Sequence, residues 1–362
     1  MTHRLKELDA LRGLAAVAVA LSHFLLHFQG IYGFRNAPEW VLRSNDAQVL
    51  FSGLLPVAFF FMISGFVIYM TVKRCEGWLD FAASRITRLY PAYWAAVILI
   101  ILVRLFDPAG LEIEAPTIAQ SFWNLSMFQE LVGVGHLNPV YWSLTYELRF
   151  YIFIALIVFS PLRKYFDQIM IAWLIIAVCG FIFEMPNNGL LGLLATFFNA
   201  EYAHFFLAGI AFYKYWSDEK SRTVLMMIAG TSVIVFLQWP IWPALIAFSF
   251  WGVFALGLMG RLRFLTAKPL VWLGSISYAL YLVHLPIGYS IEYFLNQYEL
   301  PALVIASIAL AGSVIGAAAI THLLEKPMMT WQRQKYRSWK EKKKRKTLPA
   351  QSDREEHSVV RA

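Results

Sequence analysis

Few residues in this chain can do chemistry, and they sit in apolar surroundings. Asp9, Arg12 and His23 fall within a run of Ala, Leu and Val between residues 8 and 28. The Arg12–His23 interval of 11 residues is three helical turns with about 20° left over, so on a helix both side chains share one face. They stand about 16 Å apart along the axis. Asp9, three residues before Arg12, joins that face, and His27 follows one turn past His23. The face offers a fixed cation at one end and a deep imidazole, whose pKa near 7 suits general-base work, at the other. A core histidine satisfied by a neighbouring helix is the plainer alternative.

Three further groups have usable spacing. Arg85 and Arg88, in Ser84-Arg85-Ile86-Thr87-Arg88-Leu89-Tyr90-Pro91, are three apart and can hold a phosphate between them. Ordinary loop charge explains them equally well. Ser143 and Glu147 are one turn apart in Tyr141-Trp142-Ser143-Leu144-Thr145-Tyr146-Glu147, with a structural tie between helices as the alternative. Ser277, Tyr281 and His284 are spaced four and three and form one polar stripe, or a hydrogen-bonded packing seam. Glu201-x-x-His204 supplies two metal-ligand types but no third, so no metal site is expected.

The elements that must hold these groups are membrane helices. Hydrophobic residues make up 59% and charged residues 15%, against roughly 25% charged in a soluble domain. Apolar runs recur at about the 20 residues that a bilayer demands. Ten spans are expected, at about 8–28, 52–72, 90–106, 141–161, 167–184, 201–216, 223–238, 241–259, 270–294 and 301–324. The fold class is therefore an all-α polytopic transmembrane bundle. With the N-terminus inside, 27 of the 31 Lys and Arg fall on the cytoplasmic side, many in the loops at 73–89 and 260–269 and in the tail. Arg35 and Arg43 alone fall in the opposite loops, while Arg104 and Arg149 lie inside spans. This bias places both termini in the cytoplasm. It also explains the net charge of +8 without nucleic acid as a partner. The first apolar run has Asp9 and Arg12 at its start and no small-residue cleavage site, so it reads as a retained span. Cys75 and Cys179 suggest neither a disulfide framework nor a metal site.

Depth then links the groups. His23 lies 14 residues past Asp9 and His284 14 residues past Leu270, each about 21 Å from the cytoplasmic boundary. Glu147 enters from the other side and reaches a similar level in a 30 Å core. Ionisable groups are costly inside a bilayer, so three at one depth point to a shared cavity in its outer half.

Together these motifs resemble the acyltransferase 3 family of membrane O-acyltransferases, which includes bacterial polysaccharide O-acetylases. The pieces are Leu8-Asp9-Ala10-Leu11-Arg12-Gly13 with His23, Phe59-Phe60-Phe61-Met62-Ile63-Ser64-Gly65-Phe66, Arg85-x-x-Arg88-Leu89-Tyr90-Pro91, Trp142-Ser143-Leu144 with Glu147, Gly274-Ser275-Ile276-Ser277-Tyr278 with His284, and Glu325-Lys326-Pro327. The likeness covers residues 1–331 as one transmembrane domain and leaves 332–362 as a basic, unstructured cytoplasmic tail. It implies a protein of the bacterial cytoplasmic (inner) membrane. The donor would be cytoplasmic acyl-CoA, acetyl-CoA by default, with no permanently bound cofactor. The acceptor would be a carbohydrate or other hydroxyl. By that likeness His23 is the catalytic base, Arg12 its partner, and Arg85 and Arg88 essential. The esterase-like domain that some members carry at the C-terminus has no counterpart in this sequence.

A physical account follows from the resemblance. Arg12, Arg85 and Arg88 would hold the donor's phosphates near water while its arm threads inward to His23. Ser64, Tyr278 and Tyr281 are candidate oxyanion donors. Ser143 and His284 would contact substrate, and Glu147 would orient His23 or bond the acceptor. A transporter of polysaccharide or lipid-linked sugar, without acyl-transfer chemistry, is the alternative reading. An inactive sensor or scaffold is a third, against which the intact Arg12 and His23 weigh.

Overall fold

The computed structural model describes residues 5–106, 114–182 and 197–347, whose regular elements are all helical. Ten helices form the bundle. They are α1 (Lys6–Ser22, continued through a π-helical turn at His23–His27 to Ile31), α2 (Asp46–Val72), α3 (Trp78–Phe106), α4 (Trp142–Val158) and α5 (Phe166–Ile182). Then come α6 (Ala203–Trp216), α7 (Arg222–Gln238), α8 (Ile241–Leu258), α9 (Lys268–Asn296) and α10 (Ala302–Ala319). A second π-helical turn, Ile320–Glu325, leads from α10 into α11 (Lys326–Thr347).

Among the described residues, eight helical segments are long and apolar enough to cross a membrane, as a multi-pass membrane protein requires. The other two expected spans are the short α6 and α7, of 14 and 17 residues. Their contacts show that they also traverse the bundle. Asn199, just before α6, donates to the Tyr146 carbonyl in the first turns of α4 (2.7 Å). Lys214, near the other end of α6, pairs with Asp167 at the start of α5 (2.5 Å) and with Glu219 (3.6 Å). Glu219 in turn binds Lys73 at the end of α2 (2.8 Å). α7 climbs back, and Trp239 beyond its end packs on Phe51 and Phe205, both at 5.6 Å between centroids. The end carrying Lys73, Arg163, Lys164 and Lys214 is called the basic face below.

Close backbone approach sets the two seams that matter most. α6 is buried from Ala203 to Lys214, because it lies directly on α2. A Cβ added to Gly65 would strike the Phe206 carbonyl, and one added to Gly209 the Met62 carbonyl. The α1–α9 seam is built the same way: a Cβ on Gly13 would lie 2.6 Å from the Gly274 nitrogen. Small residues let membrane helices pack at this range. α1 and α9 run parallel with a constant offset, so Gly13 faces Gly274 and His23 faces His284, 261 positions away.

Two expectations are corrected. Arg85 and Arg88 are not in a loop, because α3 starts at Trp78 and carries both in its early turns. The basic stretch after residue 331 is not unstructured: it is helical to Thr347. Asp80 at the start of α3 clamps it, accepting hydrogen bonds from Tyr336 (2.6 Å) and Lys340 (2.8 Å). The remainder of the expected tail lies outside the described residues.

The segment 114–141 covers the end of the bundle away from the basic face. Glu130 pins it to α4 through Arg149 (3.5 Å) and Thr145. Asn138 pins it to α9, its Nδ2 donating to the Leu282 carbonyl (3.1 Å). That carbonyl needs an outside donor because Pro286, four residues on, has no N–H to give it.

Candidate active site

Three arginines and a cavity lie nearest the basic face. The cavity, of about 110 Å³, is lined by Arg12, Arg85, Arg88, Ser64, Ser143, Glu147, Tyr151, Tyr278 and Tyr281 among others. Helices α1, α2, α3, α4 and α9 each contribute. Arg12 is locked to α9: its Nε donates to Ser277 Oγ (3.0 Å) and its Nη2 to the Gly274 carbonyl (3.3 Å). The Gly13–Gly274 contact makes these bonds reachable. Arg88 is ion-paired to the buried Glu325, which the second π-helical turn presents and to which Thr321 also donates (3.3 Å). Arg85 has no carboxylate partner among the described residues. It donates to Ser84 Oγ (3.0 Å) and lies over the Phe81 and Tyr151 rings, each at 5.9 Å.

The rest of the lining is hydrogen-bonded. Ser64 donates to Glu147 Oε1 (2.6 Å), so Glu147 holds the cavity wall and does not touch His23. Its expected role of orienting that histidine is therefore corrected. Tyr278 donates to the Leu89 carbonyl (3.1 Å) with Arg88 over its ring at 5.7 Å. The Tyr281 hydroxyl lies 3.0 Å from the Val140 carbonyl and 2.6 Å from Ser143 Oγ, which reaches the same carbonyl at 3.2 Å. Tyr278 and Tyr281 thus have their hydroxyl protons engaged within the wall, by the Leu89 carbonyl and by the Val140–Ser143 pair. Tyr151, which the motif spacing did not single out, joins the lining one turn past Glu147.

Above Tyr281 lies a separate cluster of three histidines. Tyr281 lines the cavity on one side, and its ring stands 6.0 Å from that of His284 on the other. Phe60 packs on Tyr281 at 5.8 Å. His284 is fully buried and His23 half-buried. The rings of His23 and His284 are 5.0 Å apart, and His27 stacks on His23 at 4.5 Å. His23 itself does not line the cavity.

Hydrogen-bond accounting assigns the protons. His284 Nδ1 faces the Tyr281 carbonyl (2.8 Å), so it carries the hydrogen and leaves Nε2 as an acceptor. His23 Nδ1 lies 2.9 Å from the Val19 carbonyl and 3.3 Å from His284 Nε2. Both are acceptors, so His23 Nδ1 is protonated and His23 Nε2 keeps its lone pair. The π-helical turn His23–His27 begins at this residue, and such bulges recur at functional sites.

Glu201 and His204 do not converge. His204 is fully buried with neither ring nitrogen bonded, while Glu201 is exposed and accepts from Tyr146 (3.4 Å). No group of three metal-ligating side chains occurs among the described residues.

A family described as an acyltransferase domain matches residues 5–322. The chain belongs to the acyltransferase 3 family. It is a membrane acyltransferase of the non-aminoacyl kind. The O-acetyltransferase OatA of Staphylococcus aureus is 24% identical over an alignment covering 82% of this chain. That alignment covers 53% of OatA, so the chain spans about half its length. ORF330 of Acidianus two-tailed virus, whose name proposes an acetyltransferase, is 25% identical over 76% of this chain and 81% of its own. No solved structure matches the chain significantly.

Proposed function

We propose that this protein moves an acyl group, acetyl by default, from acyl-CoA to a hydroxyl of a glycan or similar acceptor, with His23 as general base. The observation that carries the reading is the His23 tautomer: Nδ1–H is held by two acceptors, leaving Nε2 able to take a proton. The donor approaches from the basic face, which we assign to the cytoplasm of a bacterial inner membrane from the charge asymmetry. The thioester end passes Arg85 into the cavity and reaches the histidines beyond Tyr281 and Phe60. The acceptor oxygen attacks the thioester carbonyl as His23 Nε2 removes its proton. Collapse of the tetrahedral intermediate breaks the carbon–sulfur bond, and His23 returns the proton to the CoA thiolate. His284 positions His23 from below.

The test uses protein reconstituted in vesicles with radiolabelled acetyl-CoA and a crude lipid-linked glycan fraction. Label should pass to an alkali-labile ester on the acceptor, with one CoA thiol released per ester formed. Acceptor movement across the vesicle with no ester formed would refute acyl transfer and leave a transporter.

A further inference from the structure

α11 lies beyond the residues that the family match covers, yet it packs on α3, whose Arg85 and Arg88 line the cavity. A groove of about 330 Å³ runs between α3 and α11, lined by Ser84 and Thr87 on one side and Arg333, Tyr336, Arg337 and Lys340 on the other. The four α11 residues are spaced three, one and three and form one helical stripe. Ser84 and Thr87 alternate along α3 with Arg85 and Arg88, which line the cavity, so groove and cavity adjoin across this helix.

The charges in the groove are divided. Asp80 accepts from Tyr336 and Lys340, and Glu76 pairs with Lys340 (2.9 Å). The local carboxylates are thereby engaged in holding α11 against α3. Arg333 and Arg337 have no ion-pair partner among the described residues, and Arg333 faces the positive charges of Arg85, Arg88 and Arg337. Cations held together without neutralisation favour an anion between them.

Size indicates which anion. A cavity of roughly 150 Å³ takes up one benzene ring, so the 110 Å³ cavity excludes a nucleotide, whose phosphates must be held outside it. Of the three arginines that line the cavity, Arg88 is ion-paired to Glu325 and Arg12 has its Nε and Nη2 bonded to α9, so Arg85 has the guanidinium least engaged.

We propose that Arg333 and Arg337 of α11, together with Arg85, bind the phosphates at the nucleotide end of the acyl-CoA donor in the α3–α11 groove. This rests on acyl-CoA being the donor. α11 is then part of the donor site, and it measures the donor by its phosphorylated end.

The experiment compares three donors, acetyl-CoA, 3′-dephospho-acetyl-CoA and S-acetylpantetheine, on the full chain in nanodiscs of neutral lipid. In Arg333→Ala/Arg337→Ala, the ratio of kcat/KM for acetyl-CoA to that for S-acetylpantetheine should fall about tenfold or more, through KM. The fall relative to wild type should be smaller for the dephospho donor, and smaller when both proteins are compared in high salt. Lys335→Ala, on the same helix but outside the groove, should leave the ratio unchanged. Equal ratios in wild type and the double variant overturn the proposal while leaving acyl-CoA as donor. A fall seen only when anionic lipid is added assigns the arginines to a lipid headgroup and also overturns it. If wild type neither binds nor uses acetyl-CoA, the donor reading itself fails.

Discussion

The geometry around His23 makes a graded prediction. His23→Gln keeps an N–H donor for the Val19 carbonyl and His284 Nε2, but an amide cannot take up a proton near neutral pH. Transfer should fall by the full general-base contribution, roughly 10²- to 10⁴-fold. His284→Leu should cost far less. It removes one of two acceptors on Nδ1–H, and Val19 still holds the tautomer. A net hydrogen bond of about 0.5–1.5 kcal/mol corresponds to about a two- to thirteenfold loss. His27→Ala removes a ring stacked at 4.5 Å but no bond to His23, so its effect should be smaller still. The assay is initial-rate release of CoA thiol in vesicles, after size-exclusion shows each variant folded. His23→Gln retaining a tenth or more of wild-type activity would refute the base assignment. So would an essential His27 alongside a dispensable His23. If His284→Leu is as inactive as His23→Gln, His284 does more than position its neighbour.

Other perturbations test the frame around the site. Asn138→Leu orphans the Leu282 carbonyl and should cost about 1–3 kcal/mol, read as a lower unfolding midpoint in detergent. Adding Pro286→Ala supplies the missing N–H and should restore much of the loss; no rescue refutes the pairing. Gly274→Ala drives a methyl into the Asp9 carbonyl and should reduce activity more than Ser277→Ala, because it separates the whole α1–α9 seam. Equal effects would mean that only the Arg12–Ser277 bond matters. Burial lowers the pKa of His136, with Glu130 opposing and Arg149 adding to the shift. The folded segment therefore binds fewer protons than the unfolded one below about pH 6.5. The resulting stability is fully present above that pH and is lost as pH falls toward the folded-state value. Hydrogen exchange in 114–141 should accelerate over that window, and His136→Gln should flatten the dependence.

The sequence alone determined the class of the molecule and singled out its candidate reactive groups. Apolar run length, low charge and lopsided Lys and Arg are set by the bilayer, which acts on each helix separately and so leaves a local record. Helical spacing likewise put Arg12 with His23, and Ser277 with His284, on common faces. Which faces meet is a property of pairs of helices, and only the tertiary structure decided it. The Gly13–Gly274 approach sets the register that brings His23 to His284, and axial depth could not distinguish that contact from one with Glu147. Two π-helical turns, His23–His27 and Ile320–Glu325, break the regular 3.6-residue period, so the facing of His27 and Glu325 was not legible in spacing. The composition of the segment after residue 331 reads as disorder because it is charged and poor in apolar residues. Asp80, more than 250 positions away, supplies the anchor that makes it a helix beside the site.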